Sequence, residues 1–460
     1  MCPASLSREP WLEPKKQRDG LEMERIIGLI LFAALVNSAS GLDFRYNETL
    51  DSRMPVIEFP ETENSDVYVF QQGQSIIAET ADGRQIATSS IKSDASGLFK
   101  AAIDAVPDGG SLNIGKGLYV LSAPYAVPLY PNGSNILYCC IPVIDKSMHI
   151  YGAGVDETII QLAPNQRNLS RLVAMMIIRG SGPLSPGYSD FTVANLTLDG
   201  NRAQQKDDQP QDGEALILAG SKRSNGKYYR LKLVNSHGSG IYLGNNGSGR
   251  ERDAVVFSVV AQNCGAEGFM LDTCHNSHVL DCAAWHCREG LCLHGNNDWK
   301  SRSKDQVSAT KFQTDSQITV WQVNDFTLSE INMDCTPATD AYGLVVRDGT
   351  GQVRRSVLKN DKAKTDSTGG ATYIYESSRV LFDDCQLEGF FGIHAVGRSH
   401  VEAKNCRLVA PGGCFCTTDP NPVQSTIIAE NCVWSGKKVV LQAGATFLEV
   451  ECVEEQTTPA

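Results

Sequence analysis

Three lines of sequence between Asp190 and Asp298 repeat one another, and they narrow the folds open to this chain. Each is a short run of alternating apolar residues, a polar corner, a glycine, then a second alternating run. The second runs are Gly240-Ile241-Tyr242-Leu243, Gly268-Phe269-Met270-Leu271 and Gly290-Leu291-Cys292-Leu293. The glycines recur at intervals of 28 and 22 residues. A period in the twenties built from short strands predicts stacked coils, because one coil can bury its apolar edge only against the next.

Composition supports an all-β solenoid. Hydrophobic residues make up 42% of the 460 and charged residues 20%, enough to bury a core. There are 41 glycines and few long helical periodicities. The formal charge of −12 argues against non-specific nucleic-acid binding, while leaving room for a local basic patch facing an anionic ligand.

Near the start, Met23-Glu24-Arg25 precedes the apolar run Ile26–Val36 and the small residues Ser38, Ala39, Ser40 and Gly41. This order predicts a secretory signal peptide cleaved near Ser40 or Gly41, with Met23 as the start. The run is short for a membrane span, which needs about 20 residues. A signal anchor, with 1–22 as a cytoplasmic tail, is the alternative; after cleavage no stable membrane span is expected. The chain then divides into an upstream extension with signal (1–41), a polar leader (42–90) with one early strand near Val67–Phe70, a coil domain (91–452) and a polar tail (453–460). At the domain's start, Ser93-Asp94 caps a short helix with Leu98, Phe99, Ala102, Ile103 and Val106 on one face. Such a helix covers the open end of a parallel stack, which would otherwise template aggregation.

Export changes how the cysteines read. Many follow Asn, Asp or Glu: Asn263-Cys264, Asp281-Cys282, Asp334-Cys335, Asp384-Cys385, Asn405-Cys406, Asn431-Cys432 and Glu451-Cys452. The pattern predicts one repeated coil position where small side chains stack in a cysteine ladder, and does not match zinc spacing. Disulfides between coils are within reach in an oxidising compartment. Sequons at Asn47, Asn132, Asn168, Asn195 and Asn246 fit a secreted glycoprotein.

With its capping segment, its Leu196-Thr-Leu-Asp-Gly-Asn-Arg202 run and its glycine-punctuated coils, the chain resembles the pectate-lyase-like superfamily over about residues 75–452. That resemblance implies an all-β, single-stranded right-handed parallel β-helix with an N-terminal capping helix. Residues 196–298 are most similar to the catalytic modules of secreted mannuronan C5-epimerases. In that family a Tyr-Gly-Phe-Asp-Pro-His motif carries catalytic tyrosine, aspartate and histidine. Here Ser239, Tyr242 and Gly244 stand at those three positions, so the core is replaced. The family's groove aspartate matches Asp272, its catalytic arginine Arg288 and, loosely, its lysine Lys206.

The residues themselves point to the same groove. With Ile241, Leu243, Phe269, Leu271, Leu291 and Leu293 inward, alternation turns Tyr242, Met270 and Cys292 outward in one column, and Gly244, Asp272 and His294 in the next. Asp272 beside His294 would poise an imidazole for proton transfer, with Tyr242 as a proton donor. Arg288, on the corner before that strand, would clamp a sugar carboxylate with paired hydrogen bonds. Arg250, Arg252, Trp299, Lys300 and Arg302 would line a basic rim. Asp207, Asp208, Asp212 and Glu214 form an acidic loop where calcium is conceivable, although no cofactor is required.

Three functional readings stand. One is an exported enzyme acting on an acidic polysaccharide or cell-surface glycan by lyase- or epimerase-type proton abstraction next to a uronate carboxylate. A glycoside hydrolase using Glu267 with Asp272 is another. The third is a non-catalytic surface or envelope β-helix that binds glycan.

Overall fold

The computed structural model describes residues 64–455, apart from 129–135, 182–189, 207–208, 210–212, 221–224, 245–251, 296–305, 336–341, 361–368, 418–423 and 443. The signal-like segment and three of the five sequons (Asn47, Asn132, Asn246) lie outside the described residues. Among those described, no helix is long and apolar enough to cross a membrane.

The strands form two sheets, one of 24 strands and one of 13. In the smaller sheet Ser239–Gly244, Glu267–Asp272, Glu289–His294, Gln317–Trp321, Tyr342–Arg347, Gly370–Tyr375 and Phe391–Ala395 lie side by side in chain order, each parallel to the next. Between consecutive members the chain passes through the larger sheet. Each coil therefore gives one strand to the smaller sheet, which makes the molecule a parallel β-helix, with the right-handed winding that parallel crossovers take.

Left-handed residues shape the coil. The long strands Phe191–Asp199, Gly226–Val234, Val255–Gln262, His278–Trp285 and Ser308–Thr314 stack in register. Each bends at one residue of positive φ: Asn195, Arg230, Ser258, Asp281 and Lys311, between 50° and 58°. A second bend follows at Asn235 and Asn263, both at φ 57°. Asparagine tolerates this conformation better than most residues. It also stacks: Asn263 Nδ2 donates to Asn235 Oδ1 (2.8 Å), and Asn235 Nδ2 to Asp199 Oδ1 (2.9 Å).

The recurring glycines answer to close approach. A Cβ on Gly268 would lie 2.8 Å from Ala284 Cβ and 2.9 Å from the Gly290 carbonyl oxygen, so the rung leaves no room for a side chain. The adjoining inward residues fill one continuous core: Ile241, Leu243, Phe269, Leu271, Leu291 and Leu293 are all at most 1% exposed. Burying each stabilises by roughly 1.5–3 kcal/mol.

At the N-terminal end the helix Ser96–Ala105 buries Leu98, Phe99, Ala102 and Ile103, as its periodicity predicts, but its N-cap is Ala95, which has no side-chain cap bond, rather than Ser93-Asp94; Asp94 sits just outside and ties the helix start to Ser122. It packs on Ile136–Ile144 and on the strands before it. Those strands correct the reading of a polar leader through residue 90. Val67–Gln72, Ser75–Thr80 and Gln85–Ser90 form an antiparallel meander whose first strand also pairs with Gly110–Ile114. Val67, Val69, Ile76 and Ala78 alternate inward with Tyr68 and Ile77 between them on the more open face, whereas Gln85–Ser90 is mostly polar and has no fully buried residue.

The single cysteine position is also corrected. None of the fourteen described cysteines is joined in a disulfide, and twelve of them are buried. They occupy several columns. Cys282 follows the mid-strand bend at Asp281 and pairs in register with Phe312. Cys264 follows the corner at Asn263. Cys385, Cys406 and Cys432 follow left-handed residues at a corner of the last coils. Asn263, Asp281, Asp384, Asn405, Asn431 and Glu451 are all left-handed, and the cysteine after each turns toward the core, whichever bend it serves; Asp334, before Cys335, is not left-handed.

Candidate functional site

Register carries the outward side chains of the smaller sheet into two parallel columns. One reads Leu218, Tyr242, Met270, Cys292, Thr319 and Val345. The next reads Gly244, Asp272, His294, Trp321, Arg347 and Tyr375. The expected adjacency of Asp272 and His294 is thus present, on the outer face.

The contacts within the second column are specific. His294 Nδ1 lies 3.0 Å from Asp272 Oδ1, and these side chains are 22% and 13% exposed. The Tyr242 hydroxyl donates to Asp272 Oδ2 at 2.7 Å. Tyr242 reaches diagonally across one rung, through the place that Gly244 leaves bare. Gly244 has φ +135°, and a Cβ there would fall 1.7 Å from the Asp272 carbonyl oxygen. Asp272 thus holds a phenol on one oxygen and an imidazole on the other. His294 Nε2 is buried and has no hydrogen-bond partner among the described residues. The Trp321 ring stacks on the imidazole, with centroids 4.9 Å apart.

Arg288 is not beside this pair. Its Nη2 lies 2.6 Å from Glu267 Oε1, and Ser239 Oγ donates to Glu267 Oε2 at 2.8 Å. The expected clamp is therefore held by a carboxylate of its own chain, because Glu267 and Arg288 meet across neighbouring coils at the start of the groove strands. Between the two groups lies Cys292. Burial pushes its thiol well above the ordinary range, with Glu289, Glu267 and Asp272 adding and Arg288 opposing. That thiol feels all four charges, so the clusters flank one floor formed by Met270 and Cys292.

Past His294 the groove turns aromatic and cationic. The Arg347 guanidinium sits 4.9 Å from the Trp321 ring centroid and 5.6 Å from that of Tyr375, and pairs with Glu376 at 2.9 Å. The Glu376 contact, helped by the charges of Tyr375, Glu376 and Asp348 and opposed by burial of the guanidinium, moves Arg347 further above its already high range. In the adjacent column Tyr342 stacks on Tyr373 (4.6 Å), and its hydroxyl meets His394 Nδ1 at 2.7 Å. Sequence reasoning missed Trp321, Arg347, Tyr342 and His394. Their signal was the same alternation carried further, Thr319-Val320-Trp321 and Val345-Val346-Arg347, which the longer intervening loops interrupted.

The rim is only partly described. Arg250, Trp299, Lys300 and Arg302 lie outside the described residues. Arg252 is exposed and bridges to His275, on the corner just past Asp272. Lys206 is exposed, and its backbone N–H reaches the Arg167 carbonyl (3.4 Å), so its loop is anchored away from the Asp272 column. Glu214 leaves the proposed acidic loop altogether. It is 2% exposed and takes a bidentate ion pair from Arg167 (Nε–Oε1 2.9 Å, Nη2–Oε2 2.8 Å). Asp207, Asp208 and Asp212 lie outside the described residues. Among those described, no cluster of three or more acidic, histidine or cysteine side chains could hold a metal ion.

No family model and no curated protein matches the chain. Among solved structures it is similar to the A-module of the Azotobacter vinelandii mannuronan C-5 epimerase AlgE6, at 16% identity and a TM-score of 0.39, covering 80% of this chain and 96% of that one. It is also similar to the Agl-KA catalytic domain (13%, TM-score 0.48, covering 78% and 66%). A third is the pre-mature gene product 12 of bacteriophage phi29 (13%, TM-score 0.41, covering 75% and 51%). The likeness is one of coil architecture, which the strand register here establishes independently.

Proposed function

We propose that the groove binds an acidic polysaccharide and that His294, held by Asp272, removes the proton next to a uronate carboxylate. The observation that carries this reading is the Tyr242–Asp272–His294 row. An ionised Asp272 accepts hydrogen bonds and donates none, so its oxygen 3.0 Å from Nδ1 favours the neutral tautomer with the proton on that nitrogen. The lone pair then sits on Nε2, which is buried and has no hydrogen-bond partner among the described residues, so a substrate reaches it once the side chains over it move aside. As Nε2 takes up a proton, the adjacent carboxylate stabilises the imidazolium. Tyr242 gives its phenol proton to the same carboxylate, which makes it a positioning residue in the resting site rather than the donor expected from sequence.

Acidifying the C5 proton requires a cation on the sugar carboxylate. Arg288 reaches it by exchanging Glu267 for the substrate, and Arg347 supplies a second guanidinium in the His294 column. Lyase and epimerase chemistry share this first step and differ in whether the leaving group departs or a proton returns to the other face. Glu267 is engaged by Arg288 and Ser239 on both oxygens, which weakens the glycoside-hydrolase reading that relied on it. The chain is exported on this reading, with Ile26–Val36 removed as a signal, and the chemistry requires no metal.

The test is incubation with a panel of polyuronates, reading absorbance for unsaturated ends and NMR for C5 inversion. Turnover of at least one substrate is expected, abolished in His294→Gln with binding retained. Binding without turnover by the wild type would assign the groove to glycan recognition alone, and turnover surviving in His294→Gln would overturn the assigned base.

A further inference from the structure

In the last four coils one interior position is cysteine every time. The pairings Gln386↔Arg407, Arg407↔Val433 and Val433↔Val453 place the residues just before them, Cys385, Cys406, Cys432 and Cys452, in a single column. Backbone bonds join the same rungs: Arg407 N–H to the Cys385 carbonyl (2.8 Å), Val433 N–H to Cys406 (2.8 Å) and Val453 N–H to Cys432 (2.9 Å). Coils spaced by about 4.8 Å hold such Cα atoms inside the range a disulfide bridges. The thiols line one channel of backbone carbonyls: Cys385 donates to Asp383 (3.4 Å), Cys406 to Lys404 (3.1 Å), Cys432 to Glu430 (3.4 Å) and Cys452 to Val450 (3.5 Å), the same offset on each rung. One coil earlier the same position is Ser356, whose backbone carbonyl accepts from Gln386 N–H. The run of thiols is therefore confined to the C-terminal end.

Burial grades along the column. Cys385, Cys406 and Cys432 are 3%, 1% and 0% exposed, whereas Cys452, on the last described coil, is half-buried. The exposed Leu448, Val450 and Val453 surround it. One thiol is thus open to a small reagent, with three in the same column behind it. This is the arrangement that thiol–disulfide exchange needs, an accessible attacking sulfur and a resolving sulfur already in place.

We propose that this column is a thiol–disulfide exchange site, reached at Cys452 by a small soluble disulfide and closed by a bond between Cys432 and Cys452. The Cys452 thiolate attacks one sulfur of the reagent, forming a mixed disulfide and releasing one thiol. The Cys432 thiolate attacks the Cys452 sulfur, closing the intramolecular bond and releasing the second thiol. Two protein thiols are oxidised, one disulfide is reduced to two thiols, and the two protein protons leave with them. Cys432 suits the resolving role: it lies one rung from Cys452, and its thiol is brought down to about 7 despite its burial, the neighbouring Cys406 being the leading influence. Cys406, whose thiol is held well above the ordinary range by its cysteine neighbours and by burial, then attacks Cys432 slowly, moving the bond one rung inward and freeing Cys452. The Cys264–Cys287 contact, a buried thiol against a half-buried one, provides an internal comparison, since serines rather than cysteines adjoin it at Ser236 and Ser316.

The test uses the reduced full chain with oxidised glutathione, alkylation of remaining thiols, and peptide mapping without reductant. The wild type is expected to lose two hydrogens in the C-terminal peptides and to link Cys432 to Cys452, with a Cys406–Cys432 link appearing later. Cys432→Ser and Cys432→Ala should both stop at a glutathione adduct on Cys452, and Cys452→Ser should form neither adduct nor bond in this column. The proposal fails if Cys452 in the folded wild type resists a reagent that modifies it in the unfolded chain. It fails equally if the adduct accumulates on wild-type Cys452 as fully as on the Cys432 variants.

Discussion

Replacing Asp272 with asparagine separates the chemistry of the groove from its shape. Asp272 accepts a hydrogen bond from the Tyr242 hydroxyl at 2.7 Å, and its other oxygen lies 3.0 Å from His294 Nδ1. Each bond to an ionised group contributes about 1.5–3 kcal/mol, and both side chains are largely withdrawn from solvent. Asparagine keeps the volume but offers one acceptor oxygen and one amide donor. If the oxygen stays with Tyr242, the NH2 faces Nδ1, which must then accept and pass its proton to Nε2. If the oxygen turns to Nδ1, the phenol must accept from the amide and loses its acceptor. One good bond survives either way, so the expected loss of stability is about 1–3 kcal/mol. The catalytic loss should be far greater. An imidazole protonated at Nε2 has no lone pair for the substrate, and loss of a positioned base costs roughly 100- to 10,000-fold in rate. Long-range nitrogen–proton NMR of the histidine ring reads the tautomer without any substrate. The wild type should carry its neutral-ring proton on Nδ1 and Asp272→Asn should shift it toward Nε2. A wild-type ring already protonated on Nε2 would refute the assignment of His294 as base.

Three further outcomes follow from packing and charge. Gly268→Val should destabilise by about 1–3 kcal/mol, because its Cβ meets Ala284 and the Gly290 carbonyl below 3 Å; Gly97→Ala, in the helix with nothing within 4 Å, should stabilise by roughly 0.5–1 kcal/mol. Equal urea midpoints for these two variants would contradict the close-approach account. Arg167→Met should cost about 3–5 kcal/mol by stranding the buried Glu214, and Arg167→Met with Glu214→Leu should recover most of it, since both side chains of the pair are 1% exposed; urea unfolding of the three proteins checks the recovery. Asp94 accepts from the Ser96 and Ser122 backbone N–H groups at 3.0 and 2.9 Å. Burial is the largest single influence and raises its pKa, but the combined hydrogen bonds from Ser122 and Ser96 outweigh it and leave the carboxyl below its ordinary value. Its contribution, read as the difference from Asp94→Ala, is therefore full above the unfolded value near 3.9 and lost as pH falls through the lower folded one. The gap in melting temperature between the two proteins should narrow below about pH 4, and a constant gap down to pH 3 would count against this role of Asp94.

The division between sequence and tertiary structure is clearest along the groove. Alternation and a recurring glycine sufficed to predict coils, an inward set from Ile241 to Leu293, and an outward neighbour pair of Asp272 and His294. Those features are periodic and local, and a parallel stack repeats its period from rung to rung. Sequence also located the capping helix, whose five apolar positions lie at helical spacing. It placed one early strand near Val67–Phe70 but read the rest up to Ser90 as leader, because Gln85–Ser90 is mostly polar and buries no residue fully.

What only the folded chain decides is which side chain takes which partner. Arg288 stood in the right place for a substrate clamp, but Glu267 comes from the coil before and closes on it. Glu214 read as part of an acidic loop, yet it is sealed against Arg167, 47 positions away in the chain. Trp321 and Arg347 extend the His294 column although unequal loops separate them in sequence. Apart from Asp334-Cys335, the cysteine doublets resolve into distinct columns because two different bends both place a left-handed residue before an inward one. Spacing along the chain determines the face on which a residue emerges. The partner across the rung depends on register between coils of unequal length, and that is set by the stacked backbone as a whole.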